Sequence, residues 1–201
     1  MDDVTPGRVV ILNGASSSGK STLTEGFCAL RADQGELWLR TGIDDFLSKI
    51  PGQFFSAPDW FGEHEAEGVR FEPFEHGIRV VTGSKAMAVL AAYRRAVAAC
   101  ARAGVDVVVD EVVLDELAAR DWDRALDGLP VLWVAVRCAP EVLAERERDR
   151  GDRYVGLAVA QDRSVHGHVS YDLEIETTHA VPEVCVRLLD AGVRDHPRFV
   201  A

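Results

Sequence analysis

Residues 14–21 read Gly14-Ala15-Ser16-Ser17-Ser18-Gly19-Lys20-Ser21 and fill every fixed position of the pattern G-x-x-x-x-G-K-S/T. The pattern constrains the fold because it works only as the turn between a buried strand and a helix. Residues 8–13, Arg-Val-Val-Ile-Leu-Asn, form a short apolar run with β-branched side chains, as a buried parallel strand reads. After the turn, Leu23, Phe27 and Leu30 recur at helical spacing. In this setting the glycines let the backbone wrap around a triphosphate with its N–H groups inward. The start of the helix adds its positive dipole end. Gly14, Ala15, Ser16, Ser17, Ser18, Gly19, Lys20, Ser21 and Thr22 are therefore the expected nucleotide-binding residues. Lys20 is placed to reach the β- and γ-phosphates, and Ser21 to set its hydroxyl on Mg2+. The donor is expected to be ATP.

The rest of the chain alternates short apolar runs with helical stretches. Strands are expected at 8–13, 37–41, 105–110, 131–137 and 171–177, and helices at 20–32, 84–103, 114–126, 140–148 and 182–191. This rhythm predicts an α/β fold with a parallel sheet and helical crossovers. Ser84 is the expected cap of its helix and Gly104 its stop, and Pro140 stands where a first helical residue belongs. A length of 201 residues with 47% hydrophobic content suits a single domain over 1–201.

One stretch breaks the rhythm. Residues 51–83 are rich in Gly, Pro and aromatics (Phe54, Phe55, Trp60, Phe61, Phe71, Phe74), with a hairpin expected from 69–74 and 77–81. An insertion this long in a compact α/β domain is functional or disordered, and its aromatics argue against disorder. Two readings stand side by side: an apolar wall over a small-molecule pocket, or a hairpin packed on the sheet edge.

Lys and Arg number 22 against 33 Asp and Glu, a formal net charge of −11. Such a surface repels polyanions, so nucleic acid is not an expected partner. No apolar run approaches the ~18–20 residues needed to span a bilayer. The acidic start Met1-Asp2-Asp3 lacks the basic character of a secretory signal, so the expected location is cytoplasmic. Cys28, Cys100, Cys138 and Cys185 are far apart and read as small buried hydrophobes, not as a zinc site or disulfide framework. His166 and His168 make a weak metal signal and read as surface or lid residues.

Three segments carry candidate chemistry. Residues 105–111, Val-Asp-Val-Val-Val-Asp-Glu, are a hydrophobic strand ending in two acids, of which Asp110 is the first candidate for Mg2+ and Glu111 the second. Asp44 and Asp45 follow the second strand, on the rim where parallel sheets place ligands. Asp44 is the expected base for an acceptor hydroxyl, and Asp45 the residue that starts the helix 45–49. Residues 145–153, Glu-Arg-Glu-Arg-Asp-Arg-Gly-Asp-Arg, suit a solvated helix face, but Gly151 spoils a helix there. A lid over the nucleotide, within 146–168, accounts better for basic residues gathered in so acidic a chain. Residues 171–178 alternate acids and apolar residues as a last strand whose end lies on the adenine side.

Several segments together resemble the chloramphenicol phosphotransferase family of small P-loop kinases. They are I-L-N-G-A-S-S-S-G-K-S at 11–21, L-W-L-R-T-G-I-D at 37–44, V-V-V-D-E-V at 107–112 and L-W-V-A-V-R-C at 132–138. R-G-D-R at 150–153 and Y-D-L-E-I-E-T-T at 171–178 continue the series. The resemblance implies a three-layer P-loop NTPase fold with a five-stranded parallel sheet ordered 2-3-1-4-5. It implies transfer of the ATP γ-phosphoryl group to a hydroxyl of a small antibiotic. It places the family's base on Asp44, its phosphate-contacting lid arginines on Arg146 and Arg150 with Arg153 nearby, and its acid after the third strand on Asp110. Over 50–83 the match is looser, so the acceptor is chloramphenicol or another ribosome-targeting natural product such as hygromycin A. A kinase of a primary metabolite or sugar nucleotide is the second expectation. A nucleotide-dependent switch ATPase is the third, disfavoured because a switch needs no acceptor base. A homo-oligomer is compatible with the sequence.

Overall fold

Every residue of strand β1, Val9–Asn13, is buried, so the strand needs neighbours on both edges and cover on both faces. The computed structural model, which describes residues 4–75, 77–150 and 154–199, places it at the centre of the main sheet. In chain order β1 is followed by α1 (Lys20–Asp33), β2 (Trp38–Gly42) and α2 (Ile43–Leu47). Four short strands come next: β3 (Phe55–Ala57), β4 (Trp60–Phe61), β5 (Val69–Phe74) and β6 (Gly77–Thr82). Then come α3 (Ser84–Arg102), β7 (Asp106–Glu111), α4 (Glu116–Ala125), β8 (Val131–Arg137), α5 (Pro140–Arg150), α6 (Leu157–Val165), β9 (Leu173–Glu176) and α7 (Pro182–Asp195).

Five strands form one parallel sheet in the order β2-β7-β1-β8-β9. Counted among themselves these five run 2-3-1-4-5; the four strands inserted after α2 change only the numbering. Within β1, Val9 and Ile11 face one side, where they join Val107 and Val109 and meet Tyr93 and Val97 of α3 and Trp122 of α4. Val10 and Leu12 face the other, with Val108 and Val134, against Leu23 and Phe27 of α1 and Leu189 of α7. The two-residue strand period thus feeds two cores and makes three layers.

Two buried charged groups join elements: one links two helices of the same layer, the other links the sheet to a helix. Arg31 of α1 holds Asp190 of α7 at 2.9 Å through Nε, and its Nη1 reaches Glu36 at 3.1 Å. Glu111, fully buried at the end of β7, accepts a hydrogen bond from the Val112 N–H at 2.8 Å and from Trp122 Nε1 at 3.0 Å. Burial pushes its carboxyl pKa up, against the pull of these donors and of Arg94. The second candidate for Mg2+ is therefore corrected: alternation along β7 turns Glu111 into the core when Asp110 faces the cleft.

The insertion is larger than a hairpin. The expected pair is present as β5 and β6, antiparallel from Val69↔Thr82 to Phe74↔Gly77. β3 joins β5 in parallel and β4 in antiparallel fashion, which completes a second sheet ordered β4-β3-β5-β6. Its last strand packs on α6, where a Cβ on Gly77 would come within 2.6 Å of the Gly156 carbonyl oxygen. Helix ends also differ from expectation. Gly83, not Ser84, is the N-cap of α3, and α4 starts at Glu116 because the Asp115 carboxylate accepts from the Ala118 N–H at 2.8 Å.

Trp122→Phe keeps most of the ring but strips the indole donor from Glu111. We expect a loss of about 1–3 kcal/mol, the usual cost of a buried acceptor left short of a donor. Urea unfolding measures it, and an unchanged midpoint would show that Glu111 does not depend on the indole.

Candidate active site

The turn from β1 to α1 is held against β8. A Cβ on Gly14 would strike the carbonyl oxygen of Val136, so only glycine lets the chain pass this close. Gly19 has φ +95°, and Ser17 sits in the left-handed region at φ +61°, a conformation that side chains rarely adopt and that concentrates at binding sites. The hydroxyls of Ser17 and Ser18 are buried without a hydrogen-bond partner. Two orphaned hydroxyls beside a helix N-terminus fit a ligand rich in acceptor oxygens, such as a polyphosphate.

The nearest charges come from two elements, α1 and β7. Lys20 is buried; its Nζ donates to the Ala15 carbonyl at 2.8 Å and lies 3.5 Å from Asp110 Oδ1. The Ser21 hydroxyl donates to Asp110 Oδ2 at 2.6 Å. Ser21 and Asp110 thus offer two oxygen ligands side by side, the kind that Mg2+ takes together with water and phosphate oxygens. Among the described residues no group of three His, Cys, Asp or Glu side chains is arranged to hold a metal.

Two clefts flank the loop and share Ser17, Lys20, Ser21 and Arg150. The first, of about 240 Å³, runs from Lys20, Ser21 and Asp110 to Asp44. Phe71 and Val80 of the insertion and Leu157 and Gln161 of α6 complete its wall. The second, of about 420 Å³, is lined by Gly19, Thr22, Arg146, Asp149, Thr177 and Pro182. As expected, the two acids of α2 divide their work. Asp45 accepts from the Gly42 N–H at 2.9 Å and the Thr41 hydroxyl at 3.2 Å, and so starts the helix, while Asp44 lines the first cleft.

The arginines of α5 have distinct settings. Arg146 Nη2 donates to the Thr177 carbonyl at 2.8 Å, and the Thr177 hydroxyl donates in turn to the Ser18 carbonyl at 2.7 Å. Arg146 is therefore fixed beside the loop through the end of β9, on the side expected for adenine. Arg150 lines both clefts from the end of α5. Arg153 lies outside the described residues.

Some of the site had no sequence signal. Glu147, 1% exposed, accepts from the Gly156 and Ala158 N–H groups at 2.6 and 2.8 Å, which ties α5 to the start of α6. In the charged run 145–153 it looked like one more solvated acid. Arg40, paired with Glu25 at 2.8 Å, and the apolar wall residues Leu114 and Leu157 carry no mark either, whereas Val80 falls in the insertion for which an apolar wall is one of the two readings. The missed helix α6 is short and polar-mixed, and it carries Gln161 to the loop.

Behind the loop, the Asn13 carboxamide donates to the Val165 carbonyl at 2.9 Å and the Tyr171 hydroxyl at 2.7 Å, and it accepts from the Val113 N–H at 2.8 Å. The His166 ring sets Nδ1 3.0 Å from the same Tyr171 hydroxyl. Burial, and then the positive charge of Arg137, lower the His166 pKa from 6.5 to about 4. His166 is thus a neutral support of the loop's base, and His168 is exposed. Cys138 and Cys185 are buried, Cys28 and Cys100 half-buried, and all four are free.

A histidine with a lowered folded pKa contributes stability that is whole above about pH 6.5 and is lost as pH falls toward about 4, because the unfolded chain takes the proton first. We expect the urea midpoint of the wild type to drop across this window more than that of His166→Asn. Parallel midpoint curves for the two proteins would remove His166 from the pH response.

The profile of chloramphenicol phosphotransferase-like proteins matches residues 7–194. A protein of Mycobacterium tuberculosis (strain ATCC 25618 / H37Rv), provisionally named O-phosphotransferase Rv2636, is 29% identical over 188 residues, covering 89% of this chain and 78% of that protein. Among solved structures, a gluconokinase from Sinorhizobium meliloti 1021 aligns with a TM-score of 0.60 at 19% identity, over 95% of this chain and 93% of its own. The M. tuberculosis APS kinase CysC in complex with AMPPNP and APS aligns with a TM-score of 0.58 at 14% identity, over 92% and 96%. At these identities the structural likeness shows a shared fold. Among the described residues no helix is long and apolar enough to cross a membrane. The chain belongs to the chloramphenicol phosphotransferase-like family and is, with it, a small-molecule phosphotransferase of P-loop kinase fold.

Proposed function

We propose that the protein transfers the γ-phosphoryl group of ATP to a hydroxyl of a small antibiotic, chloramphenicol or another ribosome-targeting natural product such as hygromycin A. Resistance in the cytoplasm is then its role. The observation that carries the reading is the first cleft, where Asp44 shares one cavity with Lys20, Ser21 and Asp110 beneath the apolar side chains Phe71 and Val80. An apolar wall facing a carboxylate suits a hydroxylated molecule with an apolar body.

In this reading the loop amides and the Ser17 and Ser18 hydroxyls hold the donor's phosphates. Asp44 accepts the proton of the acceptor hydroxyl as its oxygen bonds to the γ-phosphorus and the bond from that phosphorus to the β–γ bridging oxygen breaks. Lys20, Arg146 and Arg150 stabilise the charge that spreads over the moving group and the departing diphosphate. Ser21 and Asp110 would hold Mg2+, which would supply Lewis-acid neutralisation of the phosphate oxygens. The reaction asks for little covalent chemistry from the protein, so positioning and electrostatics supply most of the rate.

Incubation with Mg-ATP and a panel of hydroxylated antibiotics, read by mass spectrometry for an added phosphate, tests the acceptor. A phosphate gained only by a primary metabolite or sugar nucleotide would overturn the antibiotic reading, and ATP hydrolysis with no phosphorylated acceptor would favour a switch. With a working acceptor, Asp44→Asn is expected to lower turnover at least about a hundredfold, the lower end of general-base effects. Near-wild-type turnover would remove Asp44 from the mechanism.

A further inference from the structure

Gln161 lies 145 positions from the phosphate loop in sequence, yet its Oε1 accepts a hydrogen bond from the Ser16 N–H at 2.8 Å. The residue is 9% exposed and lines the first cleft together with Ser16, Lys20, Asp44 and Asp110. A backbone N–H only donates, so the atom that meets it must be the carboxamide oxygen, which fixes which way the amide is turned. The NH2 end has no hydrogen-bond partner among the described residues, and Gln161 lines the first cleft and also a neighbouring cavity bounded by Phe74, Arg79 and Ser164. A donor is thereby presented to the space beside the loop.

The helix that carries Gln161 is braced on three sides. Glu147 binds the N–H groups of Gly156 and Ala158 at its start, Asn13 binds the Val165 carbonyl at its end, and β6 packs along it at Gly77 and Ala160. A side chain clamped at its oxygen on a braced helix pays little further entropy to hold its second group in place.

We propose that Gln161 is a catalytic residue whose Nε2 donates a hydrogen bond to the γ-phosphoryl group of the bound donor nucleotide. The proposal rests on the reading of 14–21 as the donor site, and it adds a contact specific for the third phosphate. It also makes α6 the element that links the insertion to the group being transferred. The Ser16 bond alone is a structural role; the Nε2 contact is the functional one.

Gln161→Glu separates the two, because a carboxylate still accepts from the Ser16 N–H but replaces the donor with a negative oxygen. Calorimetry with Mg-ADP and with Mg-AMPPNP gives the ratio of the two affinities without needing the acceptor. We expect Mg-ADP binding to stay within about threefold of wild type and Mg-AMPPNP binding to weaken about tenfold or more, as loss of a phosphate contact and gain of a repulsion require. Gln161→Asn, a shorter amide, is expected to lie between. An unchanged ratio in Gln161→Glu, whether both affinities hold or both fall together, overturns the contact and leaves Gln161 a brace of the loop. A wild type that binds neither nucleotide overturns the donor site itself, and the Gln161 proposal with it.

Discussion

The structure depends on one steric requirement: the backbone after β1 must run against β8 before it turns into α1. The approach of Gly14 to the Val136 carbonyl leaves no room for a side chain, and the following residues coil tightly enough to put Ser17 and Gly19 at positive φ. That coil aims polar groups at a common centre, and the surrounding elements brace it. Thr177 at the end of β9 and Gln161 on α6 bond to the loop, and Asn13, the residue just before it, bonds to Val165 at the end of α6 and to Val113. The partners lie 145 to 159 positions away where they come from α6 and β9. A change in the loop's shape would have to break contacts to several layers at once, which is how a strained turn persists in a packed protein.

Charge is handled locally. The chain is strongly acidic as a whole, yet Lys20, Arg146 and Arg150 converge on the loop, and Asp110 and Asp44 stand among them. Opposite charges gathered in a partly enclosed space interact more strongly than the same groups spread over a wet surface. The acidic remainder of the surface discourages polyanions, while the cleft itself favours one compact anion with its cation.

Much of this was legible because it follows from period and punctuation. The main strands appear within two residues of their expected ends, β1 and β8 because they read as apolar runs and β9 because acids and apolar residues alternate along it. Val131–Arg137 is the plainest case. The loop and its two acids, Asp44 and Asp110, were legible because their spacing from a strand end is short. What stayed hidden depends on side chains that meet across the fold. Glu147 and Gln161 carry no local mark, for a buried, bonded polar residue and a solvated one are spelled alike. Glu111 differs: alternation along β7 turns it away from Asp110 and into the core, where Trp122 of α4 donates to it. The inserted strands β3 and β4 were too short for a period to register.

The order of strands also has a consequence in time. β1 pairs with β7 and β8, and its first pairings join Val9 to Val107 and to Val131. β2 likewise waits for β7. On a growing chain the fully buried strand β1 therefore stays unpaired until more than half of the sequence has been made, whereas the sheet β3–β6 draws on neighbours close by in sequence and can close early. Such a topology is intrinsically slow to assemble and leaves a sticky segment waiting. It also means that the phosphate loop exists only once the distant strands have arrived. Nucleotide capture would therefore report completion of the central sheet, whereas formation of the small one would be blind to it.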